Sequence, residues 1–201
     1  MSSVLLINGH QPFPTSPGRL NAAFCMRART HFEALGAGVR EVRTTGTWDL
    51  DEQVENQLWA DLILMQFPLN SMGLPWSLKR YLDEVYTAGM DGRLARGDGR
   101  TRKDPSRQYG SGGRLQGRSY MLSVTLNAPR AAFDDPAQHL FAGLSLDQLL
   151  APVHINFAFF ALNPLPTFAA HDVSKAPQIE RDFERFDAHL KTHAGALPDR
   201  P

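Results

Sequence analysis

The chain has 201 residues, of which 42% are hydrophobic and 21% charged, and its formal net charge is zero. This length predicts one domain with a core of its own. The neutral, ordinary composition argues against a protein that binds nucleic acid or anionic membranes over its whole surface. It also argues, more weakly, against a small one-electron carrier, because such carriers often have a surface of one charge sign.

Strand and helix patterns alternate along the first part of the chain. Short apolar runs are typical of strands buried on both faces, and apolar residues on one helical face predict the helices between them. The predicted elements are a strand at 4–8, a proline-rich loop at 10–18, a helix at about 19–35, a strand at 38–42, a helix at 51–58, a strand at 62–67 and a helix that begins at Pro75.

The second part continues this alternation after an insertion without clear periodicity, at about residues 89–117. The predicted elements are a strand at 120–125, a helix at about 136–150, a fifth strand at 154–160, a helix opened by Pro177 and a frayed tail at 198–201. We therefore predict a single α/β domain over 1–197, a doubly wound, five-stranded parallel sheet with helices on both faces in three layers.

The one cysteine, Cys25, excludes an intramolecular disulfide and gives no sign of secretion. The start Met1-Ser2-Ser3 lacks the basic region of a signal peptide, and no run approaches the ~20 apolar residues of a membrane helix. The histidines lack metal-ligand spacing, so no metal is expected, and no Ser-His-Asp arrangement emerges. We expect a cytoplasmic protein without a membrane partner.

Three segments follow predicted strands and therefore lie where open parallel sheets bind ligands. The first precedes the helix at Arg19, whose free N–H groups favour a phosphate, with Arg19 or His10 as charged contacts. The second, 68–72, is either a backbone cradle for a planar ring or a polar turn. The third, 125–129, either offers ring contacts through Asn127 and the backbone or is an asparagine turn.

A fourth segment, from Asp91 to Arg118, carries eight cations and three anions although the chain as a whole is neutral, and it contains Tyr109-Gly110-Ser111-Gly112-Gly113. Such a run is usually a solvated loop. The alternative is an arm that touches phosphates and stacks an aromatic ring on a ligand or a partner subunit. A nucleic-acid binder would use the same cations and lose affinity steeply with salt. We rate that possibility lowest.

Several motifs occur together in register with one known family: Ile7-Asn8-Gly9, Leu20-Asn21, Leu58-Trp59-Ala60-Asp61, Met72-Gly73, Pro75-Trp76, Asp98-Gly99-Arg100-Thr101-Arg102-Lys103-Asp104-Pro105-Ser106, Tyr109-Gly110-Ser111-Gly112-Gly113, Tyr120-Met121-Leu122-Ser123, Asn127-Ala128-Pro129 and Pro164-Leu165-Pro166-Thr167-Phe168. Over nearly its whole length the chain closely resembles the flavodoxin-like NAD(P)H dehydrogenase (quinone) family.

This resemblance implies a homodimer that binds FAD tightly at each subunit interface. It places the FAD phosphates on Ser16, Gly18, Arg19, Leu20 and Asn21. It places the flavin ring on Pro68, Leu69, Asn70, Ser71, Met72, Thr125, Leu126, Asn127 and Ala128, with Tyr109 as a further contact. His10 matches a histidine of the more distant animal quinone reductases. No catalytic side chain is named.

The resemblance also implies an activity, the two-electron reduction of a quinone by NADPH. Hydride would pass through flavin N5 in a ping-pong cycle. The chain departs from its family branch at Asn70 and Ser71, where bulky aromatics are usual. Within the enzyme class, the near alternative is a flavin-dependent azo- or nitro-compound reductase. The loss of stacking surface at Asn70 and Ser71 also keeps open a flavin-binding sensor with little turnover.

Overall fold

A computed structural model describes residues 2–195. The elements in chain order are β1 (Ser3–Asn8), α1 (Arg19–Ala34), β2 (Gly38–Arg43), α2 (Leu50–Trp59), β3 (Leu62–Pro68), α3 (Trp76–Ala88), β4 (Ser119–Thr125), a 3-10 turn (Arg130–Ala132), α4 (Leu146–Leu149), α5 (Ala151–Phe159), β5 (Asn163–Pro164), β6 (Phe168–Ala170) and α6 (Ile179–His193). The predicted end of the domain at 197 and the tail at 198–201 lie outside the described residues.

The strands form one parallel sheet in the order β2-β1-β3-β4, and both β5 and β6 pair with β4. These two short strands share the fifth position of the sheet. Pro164 and Pro166 stand at the interruption, and a proline has no N–H to continue a ladder. The predicted fold class, a five-stranded doubly wound parallel sheet, is confirmed.

Helices cover both faces of the sheet and create two separate cores. On one face α2, α3 and α5 pack over side chains such as Ile7, Met65 and Leu122. On the other, α1 and α6 pack over Leu6, Leu64 and their neighbours. Because β1 and β3 are buried on both faces, they appear as continuous apolar runs in the sequence. The predicted boundaries of α1 and α2 and the predicted start of α3 are also confirmed within a few residues.

Two predicted elements after β4 are wrong. The predicted strand at 154–160 is the helix α5, and the predicted helix at 136–150 is a series of turns that contains only the short helix α4. Ser145 begins α4 with a reciprocal cap, since its hydroxyl accepts from the Gln148 N–H and the Gln148 side chain accepts from the Ser145 N–H. Pro152 then occupies the first turn of α5, a position that proline favours.

The predicted insertion, residues 89–117, consists of turns and isolated bridges. It is anchored to the rest of the molecule by buried Leu94, Ala95 and Leu115. The Leu115 N–H donates to the carbonyl of Phe160 (3.0 Å), which places the end of the insertion beside the amino ends of β4 and β5. Within the described residues, no helix is long and apolar enough to cross a membrane.

Candidate functional site

A cleft of about 510 Å³ opens at the carboxyl edge of the sheet, where β3 and β4 end beside the start of α1. It is lined by Thr15, Ser16, Pro17, Gly18, Arg19, Leu20, Asn21, Pro68, Leu69, Asn70, Thr125, Leu126, Asn127, Val173, Ser174 and Ile179. All three turns singled out in the sequence therefore meet at one site. This is the edge at which doubly wound sheets bind ligands.

The first turn is shaped to hold an anion. Phe13 and Ser16 exchange backbone hydrogen bonds (3.1 and 2.9 Å) and close a tight loop. Gly18 then precedes α1 with φ +85°, and a Cβ there would overlap the imidazole ring of His10. Glycine thus lets the loop lie against the His10 side chain. The first N–H groups of α1 have no acceptor within the helix, so this loop presents donors and the positive end of the helix dipole to the cleft.

His10 lies beneath this loop rather than in the cleft. Its Nε2 is 3.5 Å from the hydroxyl oxygen of Ser16, which lines the cleft. Burial lowers the pKa of the His10 imidazole, which is 7% exposed. The ring is therefore neutral at neutral pH and supports the loop as an uncharged hydrogen-bonding group.

The second turn follows β3 and holds two left-handed residues. Asn70 and Gly73 exchange backbone hydrogen bonds (3.0 and 2.9 Å), and Ser71 and Met72 between them have φ +47° and +64°. This conformation strains residues with a side chain, and such strain often accompanies binding loops. The Leu69 N–H donates to the Thr125 carbonyl (2.8 Å), so the second turn is fixed to the third.

The third turn is held by the loop that follows β6. The Leu126 N–H donates to the Ala170 carbonyl (3.0 Å), and the Ser174 hydroxyl donates to Oδ1 of Asn127 (2.6 Å). These contacts bring Val173, Ser174 and Ile179 to the cleft. None of the three was predicted as a site residue, because the fifth strand had been assigned to the wrong segment.

A chain of polar side chains lies directly under the cleft. The Ser123 hydroxyl donates to Oε1 of Gln66 (2.6 Å), and Nε2 of Gln66 donates to Oδ1 of Asn21 (2.7 Å). Oδ1 of Asn21 also lies 3.4 Å from the Thr125 hydroxyl, which donates to it. All four side chains are buried, so these hydrogen bonds offset the cost of removing them from water.

Eleven of the sixteen residues predicted from the sequence line the cleft, from Ser16 to Asn127. The other five lie elsewhere. His10 supports the loop from below, and Ser71 and Met72 form the strained turn. The Ala128 carbonyl accepts from the Asp172 N–H (3.3 Å). Tyr109 is 68% exposed and its ring lies 5.8 Å from that of Phe159 at the end of α5 in a tilted arrangement, and within one subunit it does not line the cleft.

The donor set fits a flavin nucleotide. A loop that depends on Gly18 and leads to the free N–H groups at the start of a helix suits phosphates. The two further turns offer backbone donors and acceptors for a planar ring at the carboxyl edge of the sheet. Among residues 2–195, no cluster of three or more histidine, cysteine or acidic side chains could hold a metal ion. Burial raises the pKa of the Cys25 thiol to about 12, which makes it unreactive.

A second cavity of about 480 Å³ adjoins the strained turn. It lies between α3 and the start of α5, and it is lined mainly by apolar side chains that include Met72, Leu82 and Val153. The outer face of α5 continues from this cavity with exposed Pro152, Ile155 and Ala158. These three residues form an exposed apolar stripe on α5.

Comparison with known proteins gives consistent results along the whole chain. A family model described as a flavodoxin-like fold matches residues 2–194. The chain is 39% identical over 189 residues to the NADPH:quinone oxidoreductase MdaB of Haemophilus influenzae, covering 94% of this chain and 97% of that protein.

Two solved structures share the fold. A candidate quinone reductase of Klebsiella pneumoniae superimposes with a TM-score of 0.76 at 20% identity, covering 96% of this chain and 85% of that one. General stress protein 14 of Treponema denticola, solved in complex with FMN, superimposes with a TM-score of 0.65 at 21% identity and covers 96% and 99%. At these identities the superpositions show the fold alone.

Proposed function

Since the chain belongs to the flavodoxin-like family and is an NAD(P)H oxidoreductase, we propose that it reduces quinones by two electrons, with NADPH as donor and FAD as cofactor. The observation that carries the proposal is the convergence of three turns, far apart in the sequence, on one cleft at the carboxyl edge of the sheet. The likeness to a named quinone reductase over nearly the full length supports the choice of acceptor.

The proposed roles follow from the groups that each turn presents. Ser16, Gly18 and Asn21 with the free N–H groups of α1 hold the phosphates. The turns at 68–72 and 125–128 hold the ring, and their backbone groups orient it. When bound, FAD supplies the capacity to accept hydride from NADPH and to pass it from N5 to the quinone. The protein supplies binding, orientation and electrostatics.

Residues outside the three turns also line the cleft: Val173 and Ser174 come from the loop after β6, and Ile179 begins α6. We propose FAD rather than FMN because the resemblance of the chain to its family implies FAD.

A homodimer is part of the proposal. Ile155 on the outer face of α5 is 67% exposed, and the Met72 cavity and Tyr109 lie at opposite ends of the same helix. In a two-fold pair with antiparallel α5 helices, the end of one helix lies beside the start of the other. Tyr109 of the partner subunit would then approach the turn proposed to hold the flavin ring. A cytoplasmic location remains a prediction from the sequence.

The second candidate function is the reduction of another class of acceptor by the same flavin site. Asn70 and Ser71 are small beside the aromatics usual in this branch, and Asn70 lines the cleft. A wider ring site favours bulkier acceptors such as azo or nitro compounds. A flavin sensor with little turnover would instead bind the cofactor without rapid reduction by NADPH.

Steady-state assays of the FAD-loaded protein separate these activities. We expect NADPH oxidation with a benzoquinone to have a higher kcat/KM than with an azo dye or a nitroaromatic compound. A higher value with the azo or nitro acceptor would replace the proposed acceptor class. Stoichiometric FAD that NADPH does not reduce under anaerobic conditions would overturn the reductase in favour of the sensor.

A further inference from the structure

Gln66 is a polar side chain at the centre of the sheet. It lies in β3 between β1 and β4, is 0% exposed, and does not line the cleft. Leu64, two positions away on the same face of the strand, belongs to the apolar core under α1 and α6. A buried carboxamide in such surroundings is costly unless both of its ends are hydrogen-bonded.

Both ends of the Gln66 carboxamide are hydrogen-bonded. Oε1 accepts from the Ser123 hydroxyl at 2.6 Å, so the amide nitrogen faces the opposite way. That nitrogen donates to Oδ1 of Asn21 at 2.7 Å. Ser123 and Gln66 thus form a directed pair that presents one N–H toward the start of α1.

The direction of Gln66 decides how Asn21 faces the cleft. A carboxamide has one oxygen that accepts and one nitrogen that donates. Oδ1 of Asn21 accepts from Gln66 and from the Thr125 hydroxyl, so it points into the protein. Asn21 also lines the cleft, and since its oxygen is engaged by Gln66 and Thr125, we infer that its NH₂ end faces the anion site. A reversed amide would direct the negative end of its dipole at a phosphate.

We propose that Gln66 is a positioning residue for the cofactor's phosphate groups: it holds the Asn21 amide with its donor end toward the cleft. This inference rests on the proposed function, since it assumes that a flavin nucleotide is the ligand. The residue touches no ligand itself and acts through Asn21. The hydrogen bonds from Ser123 to Gln66 and from Gln66 to Asn21 thus connect the interior of the sheet to the anion site.

A double-mutant cycle with FAD tests the proposal. Gln66→Met keeps the volume and removes the donor, and Asn21→Ala removes the group that it orients. We expect Gln66→Met to weaken FAD binding to the apoprotein by about tenfold, as for loss of a hydrogen bond to a charged group. In the Asn21→Ala background the same substitution should change FAD affinity by less than about twofold. An equal loss in both backgrounds would overturn the proposal.

Riboflavin provides the matched control, because it has the same ring without phosphate. A purely structural role of Gln66 would weaken riboflavin and FAD binding alike, whereas positioning of Asn21 should leave riboflavin affinity unchanged. Flavin fluorescence quenching measures both ligands, and circular dichroism confirms that each variant is folded. Equal weakening for the two ligands contradicts the inference.

The wild-type protein provides an independent measurement if Gln66→Met fails to fold. The side-chain NH₂ signals of Asn21, assigned in a ¹⁵N-labelled sample by their loss in Asn21→Ala, should shift on addition of FAD and stay in place with riboflavin. Asn21 NH₂ signals that do not shift on addition of FAD would overturn the inference. A wild-type protein that binds no FAD at all would instead overturn the proposed function.

Discussion

Gly18 is the single residue on which the shape of the phosphate loop most depends. Its φ of +85° is one that residues with a Cβ adopt at a cost, and the imidazole of His10 fills the space that a Cβ would take. Any side chain at position 18 would therefore introduce both backbone strain and a steric overlap with His10 into the same turn. Because this turn lines the proposed phosphate site, a change here should alter both stability and binding.

Gly18→Ala is expected to lower the melting temperature by about 2–8 °C, from a left-handed strain of about 1–2 kcal/mol. It should also weaken FAD binding by about tenfold or more as the loop moves away from His10. Gly36→Ala is the matched control: it has φ +75° at the end of α1, with open space around a Cβ. That variant should lose stability and keep its FAD affinity. Equal FAD affinities for the two variants would contradict the assigned role of the loop.

At the level of single residues, the sequence predicted those site positions that follow strands along the chain. Ser16 to Asn21 and 68–70 could be located because a strand, a turn and a helix start are local patterns. Ser174 could not, since its hydroxyl reaches Asn127, 47 positions away, only after the sheet has formed. The role of Gln66 could not be predicted for a different reason: a single polar residue in an apolar run does not indicate which residue it hydrogen-bonds.

At the level of elements, α5 shows why a buried apolar run is ambiguous. Residues 154–160 are mostly apolar, and a short run of this kind fits a buried strand or a buried helix equally well. The available signals lay upstream, in the Ser145-Leu146-Asp147-Gln148 capping pattern and in Pro152. The true edge strand, β6, has only three residues and follows two prolines, so its pattern is weak.

The exposed face of α5 leads to a prediction about assembly. Ile155→Asp places a charge in the middle of an apolar stripe and should convert the proposed dimer into monomers in sedimentation velocity. Met26→Asp, on α1 at a similar exposure of 64% against 67%, should leave the dimer intact. If Ile155→Asp remains a dimer, or the wild type is a monomer, α5 is not the interface.

At the level of the whole molecule, the neutral net charge conceals a local excess of cations in the 91–118 segment. The structure pairs part of that excess: Arg93 with Asp51 and Asp91, and Arg100 with Asp98. Arg100 also lies over the ring of Tyr109, 5.2 Å from its centroid. The charge was evident from the sequence. The pairing required the fold, because Asp51 belongs to α2 on a different part of the chain.

Stability should fall as the pH decreases through the range in which histidine titrates. Burial lowers the pKa of His10, His31, His171 and His189 in the folded protein. The unfolded chain, with pKa values of about 6.5, then binds more protons than the native state, so the free energy of unfolding decreases as the pH is lowered.

Urea denaturation of the apoprotein should therefore give a lower midpoint at about pH 5.5 than at about pH 7.5. His31→Gln removes one of these groups from the end of α1, away from the cleft, and should reduce the difference. A midpoint that rises on acidification would show that the buried histidines do not dominate this range.

The measurement that tests the account most directly is the visible absorption spectrum of the purified protein after incubation with FAD and removal of unbound flavin. The account predicts flavin bands at close to one FAD per chain, which anaerobic NADPH bleaches and a quinone restores. A colourless protein at saturating FAD would contradict it, since the cleft formed by the three turns would then not be a flavin site.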